Sequence, residues 1–221
     1  ELMSFKINSS TSFLKINNFS LFFNNLKNFS KIMFLTRNDE VVHEKTIKLG
    51  QVNVCDDFIC FYQDGHRLLI FDQSKIKYCF SEIKQTKKLD LFSFQFFNKY
   101  GDALLKIYIK DNNLDYFKFL VEKYKKQYEY QLQLISSQSL FNDQIVDDAL
   151  FNKVMVNDFI NCADYVRQYV RGKGLLREIF KLYSDKQYEL GVYVNGPSGM
   201  QFHFGRINKI VDYKGWLKDV S

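Results

Sequence analysis

The sequence predicts an α+β fold: a large antiparallel β-sheet with packed helices, followed by a helical connector and a short β meander. Three observations carry this. Runs of strand character follow one another at short spacing from Ile32 to Lys110. Just beyond, Leu114, Phe117, Leu120, Val121 and Tyr124 recur at helical spacing. Strand character then returns from Tyr188 onward, between glycine-bearing turns.

Taken in order, residues 4–17 alternate weakly. Ser20 is a candidate cap for a helix over Leu21–Phe29, with Phe22, Leu26 and Phe29 as its apolar face. Ile32–Thr36 and Val41–Ile47 read as strands around the turn Arg37-Asn38-Asp39-Glu40. Gln51–Cys55, Phe58–Gln63 and Leu68–Asp72 read as short strands, with Asp64-Gly65 as a tight turn that places His66 in it. Lys75–Lys84 alternates, and Leu89–Phe97 with Ala103–Lys110 forms a hairpin. These pieces suggest one sheet of about eight or nine strands.

The helix after Lys110 should close over the sheet. Val156, Phe159, Ile160, Ala163, Val166 and Val170 mark a second helix, ended by Gly172 and Gly174. Leu175, Leu176, Ile179, Phe180 and Tyr183 mark a third. Tyr188–Val194, Met200–Phe204 and Ile207–Tyr213 complete the chain as a meander that must pack on the first sheet or pair with another chain. The expected organisation is a β-rich domain over 4–126, a linker and connector helices over 127–187, and a short β unit over 188–221.

The 221 residues are 46% hydrophobic and 17% aromatic, with 23 Phe, so the chain is well supplied for a core. A net charge of +6 is spread among nearby acids, which argues against nucleic acid as a partner. Cys55, Cys60, Cys79 and Cys162 show no CxxC pairing and read as reduced thiols. No run is long and apolar enough to span a membrane, and the segment Phe5–Phe23 is too polar for a signal peptide. The expected location is cytoplasmic. No P-loop, GxGxxG, HExxH or GxSxG is present.

Among three histidines, His43 is the strongest candidate metal ligand, since a neutral imidazole binds transition metals well. Its ordinary alternative is a strand histidine bonded to Glu44 or to backbone. His203 alternates with Gln201 on one strand and could line a pocket. Arg37, Arg67 and Lys106 could pair with carboxylates of a ligand. Phe94, Phe96, Tyr78 and Phe80, at period two, are sheet core before they are stacking surfaces.

Three segments carry a resemblance. Leu35–Thr46, LTRNDEVVHEKT, resembles a run TRNE-x-x-VHEKxG without its final glycine. Phe94–Tyr108, FQFFNKYGDALLKIY, is similar to QFFDxxGDAxxKVY. Near the end, GVYVNG at Gly191–Gly196, QFH at Gln201–His203 and KGWL at Lys214–Leu217 resemble MVFVGNRGCxQIxTG and KGWLN. In this order and spacing they resemble the cytoplasmic heme-utilisation proteins of the HemS/ChuS type, the hemin-degrading factors.

The resemblance implies two tandem halves, of which this chain covers the first half, the connector and the opening strands of the second. It implies heme as cofactor and partner, with His43 as the candidate metal ligand; Arg37 and Arg67 could then pair with the heme carboxylates, and His203 could line the pocket although the family does not require histidine there. It also implies heme uptake and use, as carrier or as a weak ring-opening enzyme. Two departures favour the carrier. The stretch around Asp143–Asn161, where the family places a heme-ligating histidine, holds none, and Leu69 stands where the family places an arginine, with Arg67 two residues earlier. The rival is a relative that no longer binds heme and serves as a dimeric structural or interaction protein, its exposed strands favouring a homodimer.

Overall fold

The computed structural model describes residues 11–37, 42–86, 89–126, 173–196, 198–213 and 216–219. The expected second helix, Cys162 and the connector histidine question lie outside the described residues. The chain forms two compact units, one of residues 1–146 with 194–201 and one of residues 147–193 with 202–221.

The first unit holds the strands β1 (Thr11–Leu14), β2 (Ile32–Arg37), β3 (Val42–Ile47), β4 (Val52–Cys55), β5 (Phe58–Gln63), β6 (His66–Asp72), β7 (Tyr78–Lys84), β8 (Leu91–Phe97) and β9 (Ala103–Ile109). They fall into two antiparallel sheets rather than the single sheet expected. One runs β1-β7-β8-β9-β2-β3. The other contains β6-β5-β4, extended at β6 by β11 (Gly199–Arg206) and β10 (Glu189–Gly196). The division has a local cause. Gly50 lies tight on Tyr62, where a Cβ would come within 2.8 Å of the carbonyl oxygen, and its N–H donates to that oxygen. Together with the bond from the Tyr62 amide to the Gln51 oxygen, this contact ties the chain leaving β3 to β5.

Turn chemistry fixes the hairpins. Asp64 and Gly65 both have positive φ, 50° and 80°, the conformation a two-residue hairpin needs. His66 is consequently the first residue of β6, facing Gln63, and not a turn residue. Between β8 and β9 the Asn98 carboxamide oxygen accepts from the Tyr100 and Asp102 amides at 2.8 and 2.9 Å. Gly101, at φ 88°, completes that turn.

The first helix, α1, spans Phe19–Asn25 and runs into a 3-10 turn at Leu26–Asn28. Its cap is Asn18, whose side chain accepts from the Leu21 amide at 2.8 Å. Ser20, the expected cap, lies inside the helix because Phe19 is already helical. Phe22, Leu26 and Phe29 are buried as their spacing predicts, and Phe23 is buried with them.

Phe22 meets Phe94 and Phe96 of β8, and Phe23 meets Phe61 and Phe71 of β5 and β6, so α1 is wedged between the two sheets. Most of these rings meet edge to face, worth about 0.5–1.5 kcal/mol each beyond the area they bury. The helix α2 (Leu114–Tyr124) is capped by Asn113 and lays Phe117, Leu120 and Val121 into the same core.

The tip of the β10–β11 hairpin belongs to the first unit. Gly199, Met200 and Gln201 pair with Phe71, Ile70 and Leu69 of β6. These tip residues thus add to the edge of the first unit's second sheet, whereas the sequence pointed to packing on the first sheet or pairing with another chain.

In the second unit, α3 spans Lys173–Lys186, with Gly174 in its first turn; the end of the expected second helix lies outside the described residues. Ile210–Tyr213 (β12) pairs with Trp216–Asp219 (β13), a strand the meander reading omitted.

Candidate functional site

The run that carries the TRN…VHEKT motif folds as the β2–β3 hairpin. Its register places Thr36 opposite His43, Phe34 opposite Lys45 and Ile32 opposite Ile47. Ile32, Phe34, Thr36 and Ile47 are buried, so this face of the hairpin is the one turned to the core. His43 and Lys45 share it, each half-buried, on β3, which is an edge strand. Nδ1 of His43 is shielded from solvent. Burial pulls the Lys45 ammonium below the ordinary lysine value, since desolvation penalises its charge.

Thr36 connects this face to the terminal hairpin. Its hydroxyl donates to the Gln201 carboxamide oxygen at 2.7 Å, in a bond buried on both sides. The Gln201 Nε2 is buried without a hydrogen-bond partner. A buried donor left unsatisfied costs about 1–3 kcal/mol. The site therefore offers an imidazole, a half-buried ammonium and an unused amide donor. Among the described residues no group of three or more His, Cys, Asp or Glu side chains could hold a metal ion.

The other sequence candidates are placed as follows. Arg37 is exposed, pairs with Val42 and lies on the face of β2 opposite Thr36. Arg67 is half-buried on β6, its Nε donating to the Tyr62 hydroxyl at 3.3 Å with the guanidinium 5.6 Å above that ring. Leu69, two residues on, is wholly buried in the core. His203 is half-buried on β11 in the second unit, its Nε2 shielded from solvent. Lys106 is paired with Glu82 at 3.1 Å and lies over the Tyr108 ring, so its charge is engaged within the sheet.

Phe94 and Phe96 are core, at 0% and 1% exposure, and are closed to any ligand. Tyr78 and Phe80 cluster with Phe97 apart from that core. The structure thus joins His43 to Thr36, Lys45 and Gln201. Lys45 could have been found by stepping two residues from His43. Gln201 could not, because it lies 165 positions from Thr36.

The fold and this hairpin define an α+β protein of large antiparallel sheets in which an edge hairpin presents a core-facing histidine. Residues 1–124 match the haemin-degrading HemS.ChuX domain, and the chain belongs to that family. A search of curated proteins returns no match.

Solved structures share the fold. ChuS, an Escherichia coli heme oxygenase, superposes with TM-score 0.73 at 18% identity, over 96% of this chain and 69% of that one. A second structure of ChuS, the heme-degrading enzyme of E. coli O157:H7, gives 0.75 at 18% identity, over 96% and 68%. Holo-PhuS, a heme-binding protein from Pseudomonas aeruginosa, gives 0.74 at 17% identity, over 96% and 68%.

Proposed function

We propose that this chain binds heme and acts in heme utilisation as a carrier rather than as an efficient ring-opening enzyme. The observation that supports this best is His43. It lies in the motif run of a haemin-degrading family domain and faces the core from an edge strand, where a flat ligand can approach without breaking a ladder. Its imidazole would be the iron ligand. Lys45 on the same face offers a cation to a heme carboxylate, and the unused Gln201 amide offers a hydrogen bond. Heme itself supplies the redox chemistry when bound; the protein supplies position and shielding. Arg67 and His203 are retained as candidate contacts. Arg37 is the weaker candidate, because it lies on the other face of β2.

The preference for carriage rests on the stretch around 143–161, which lacks histidine, and on Leu69, which fills the core where the related family pattern has an arginine. A cytoplasmic location and self-association belong to the same reading. The 4–126, 127–187 and 188–221 division is proposed as its functional layout.

Hemin titration followed at the Soret band tests this. Saturable binding is expected, with a shifted or weakened band in His43→Ala. A featureless titration would sink the proposal, and a band untouched by the substitution would clear His43. Light scattering on a sizing column tests self-association, and the mass of a single chain rejects it.

A second reading is favoured by one observation. Charged groups turned inward on an edge strand also protect that edge from unwanted pairing. His43 and Lys45 on β3 would serve this in a relative that no longer binds heme and acts as a structural or interaction protein. A flat hemin titration would favour it.

A further inference from the structure

Gln201 brings a polar side chain into an apolar core, where it is 1% exposed. It pairs with Leu69, and Leu69 pairs with Phe61, so all three side chains share one face of the second sheet. That face meets the first sheet: the Phe61 ring lies 5.1 Å from the Phe34 ring of β2. Thr36, two residues on from Phe34, is the group that Gln201 reaches across the gap. Its hydroxyl donates to Oε1 of Gln201 at 2.7 Å.

That bond settles the orientation of the carboxamide. With Oε1 taken by Thr36, Nε2 is the end left to donate, and it is buried without a hydrogen-bond partner. Leu69, its neighbour in the ladder, is apolar and offers no acceptor. A donor held this way is costly until an acceptor arrives. His43 stands opposite Thr36 in the β2–β3 register, and side chains so paired have Cβ atoms about 4.5–5.5 Å apart. The imidazole of one sheet and the amide of the other therefore flank the same threonine. Because β3 is the edge of its sheet, this spot is reached from beside His43 and not through the core.

Taking His43 as the iron ligand, as proposed above, we infer that Gln201 donates a hydrogen bond to a small anion bound at the iron on the face away from His43, and that Thr36 is the positioning residue that aims it. The inference rests on the heme reading of the site. Hydrogen-bond donors on that side of a heme decide which small ligands it holds. An amide N–H favours a ligand that accepts, such as fluoride, over one that presents only an N–H to its surroundings, such as imidazole.

Fluoride titration of the hemin-loaded full chain, followed in the visible spectrum, tests this, with imidazole as the comparison ligand. Gln201→Leu should weaken fluoride about tenfold, the worth of one hydrogen bond to a charged group, and leave imidazole within about twofold. Thr36→Val keeps Gln201 but frees its carboxamide to turn, and should weaken fluoride about threefold. Thr36→Ser keeps the hydroxyl and should hold fluoride as the unaltered chain does. The two Thr36 variants carry the test should Gln201→Leu fail to fold. Fluoride affinity unchanged in Gln201→Leu or in Thr36→Val overturns the inference. Equal weakening of fluoride and imidazole also overturns it, since that is the mark of a loosened core. A Gln201→Leu chain that takes up hemin less tightly, yet holds fluoride as before, would put the amide on a heme carboxylate; the inference then fails while heme binding stands. Absence of a Soret band in the unaltered chain removes the heme reading itself, and this inference with it.

Discussion

Gly199 lies where β11 comes closest to β6. A Cβ there would overlap the Ile70 carbonyl oxygen and press to 3.0 Å from the Phe71 Cα. Both are backbone atoms of a strand held between β5 and β11, so neither can rotate aside. Gly199→Ala leaves two outcomes. If the pairing persists, the strands must shift, and overpacking of this kind costs about 1–3 kcal/mol.

If the hairpin tip lifts instead, two bonds outside the ladder are lost. One is the 2.6 Å bond from the Asp72 amide to the Ser198 oxygen, and the other is the Thr36–Gln201 bond. At about 0.5–1.5 kcal/mol each they account for a similar sum. A cost of about 2 kcal/mol is therefore expected by either route. Urea unfolding should show a lower midpoint. Native-state amide exchange should show the Asp72 amide exchanging roughly 30-fold faster, while amides of Phe94–Phe96 in β8 change less. Unchanged exchange at Asp72 would refute the placement of β11 on β6, and equal acceleration in β8 would show that the loss is not local.

Three further outcomes follow from the core and the caps. Asn18→Ala should cost about 1 kcal/mol in urea unfolding, whereas Ser20→Ala should stay within about 0.5 kcal/mol, because only Asn18 caps α1. Phe23→Ala should cost about 3–5 kcal/mol, since its ring is wholly buried against Phe61, Phe71 and Phe96; a loss below 1 kcal/mol would contradict the wedge position of α1. For Lys45, burial lowers the folded-state pKa below 10.5, so between the lowered value and 10.5 the unfolded chain binds more protons. Stability should therefore rise with pH through that window, and Lys45→Met should abolish the rise and be the more stable form at neutral pH; urea midpoints from pH 7 to 10 check both.

Much of the fold is written locally, and local rules recover it. The alternation in Ile32–Arg37, the Asp64-Gly65 turn and the Asn98 turn are decided by residues within a few positions of one another. The helix over Leu114–Tyr124 is legible for the same reason. The Ser20 cap was misplaced because Asn18 offers the same chemistry two residues earlier, and only the helix start distinguishes them. Of the candidate site, His43 was legible as the motif histidine, and Lys45 by its period.

What the sequence by itself determined is most of the strands between Ile32 and Ile109, the helix over Leu114–Tyr124, the motif hairpin and the family it marks, because each depends on short-range pattern. What only the tertiary structure decided is that the strands form two sheets with α1 between them, and that β11 pairs with β6. The same holds for Gln201, 165 positions away, which joins Thr36 opposite His43. Those pairings depend on how apolar faces meet in space and on the absence of a Cβ at Gly199, and neither leaves a periodic trace along the chain.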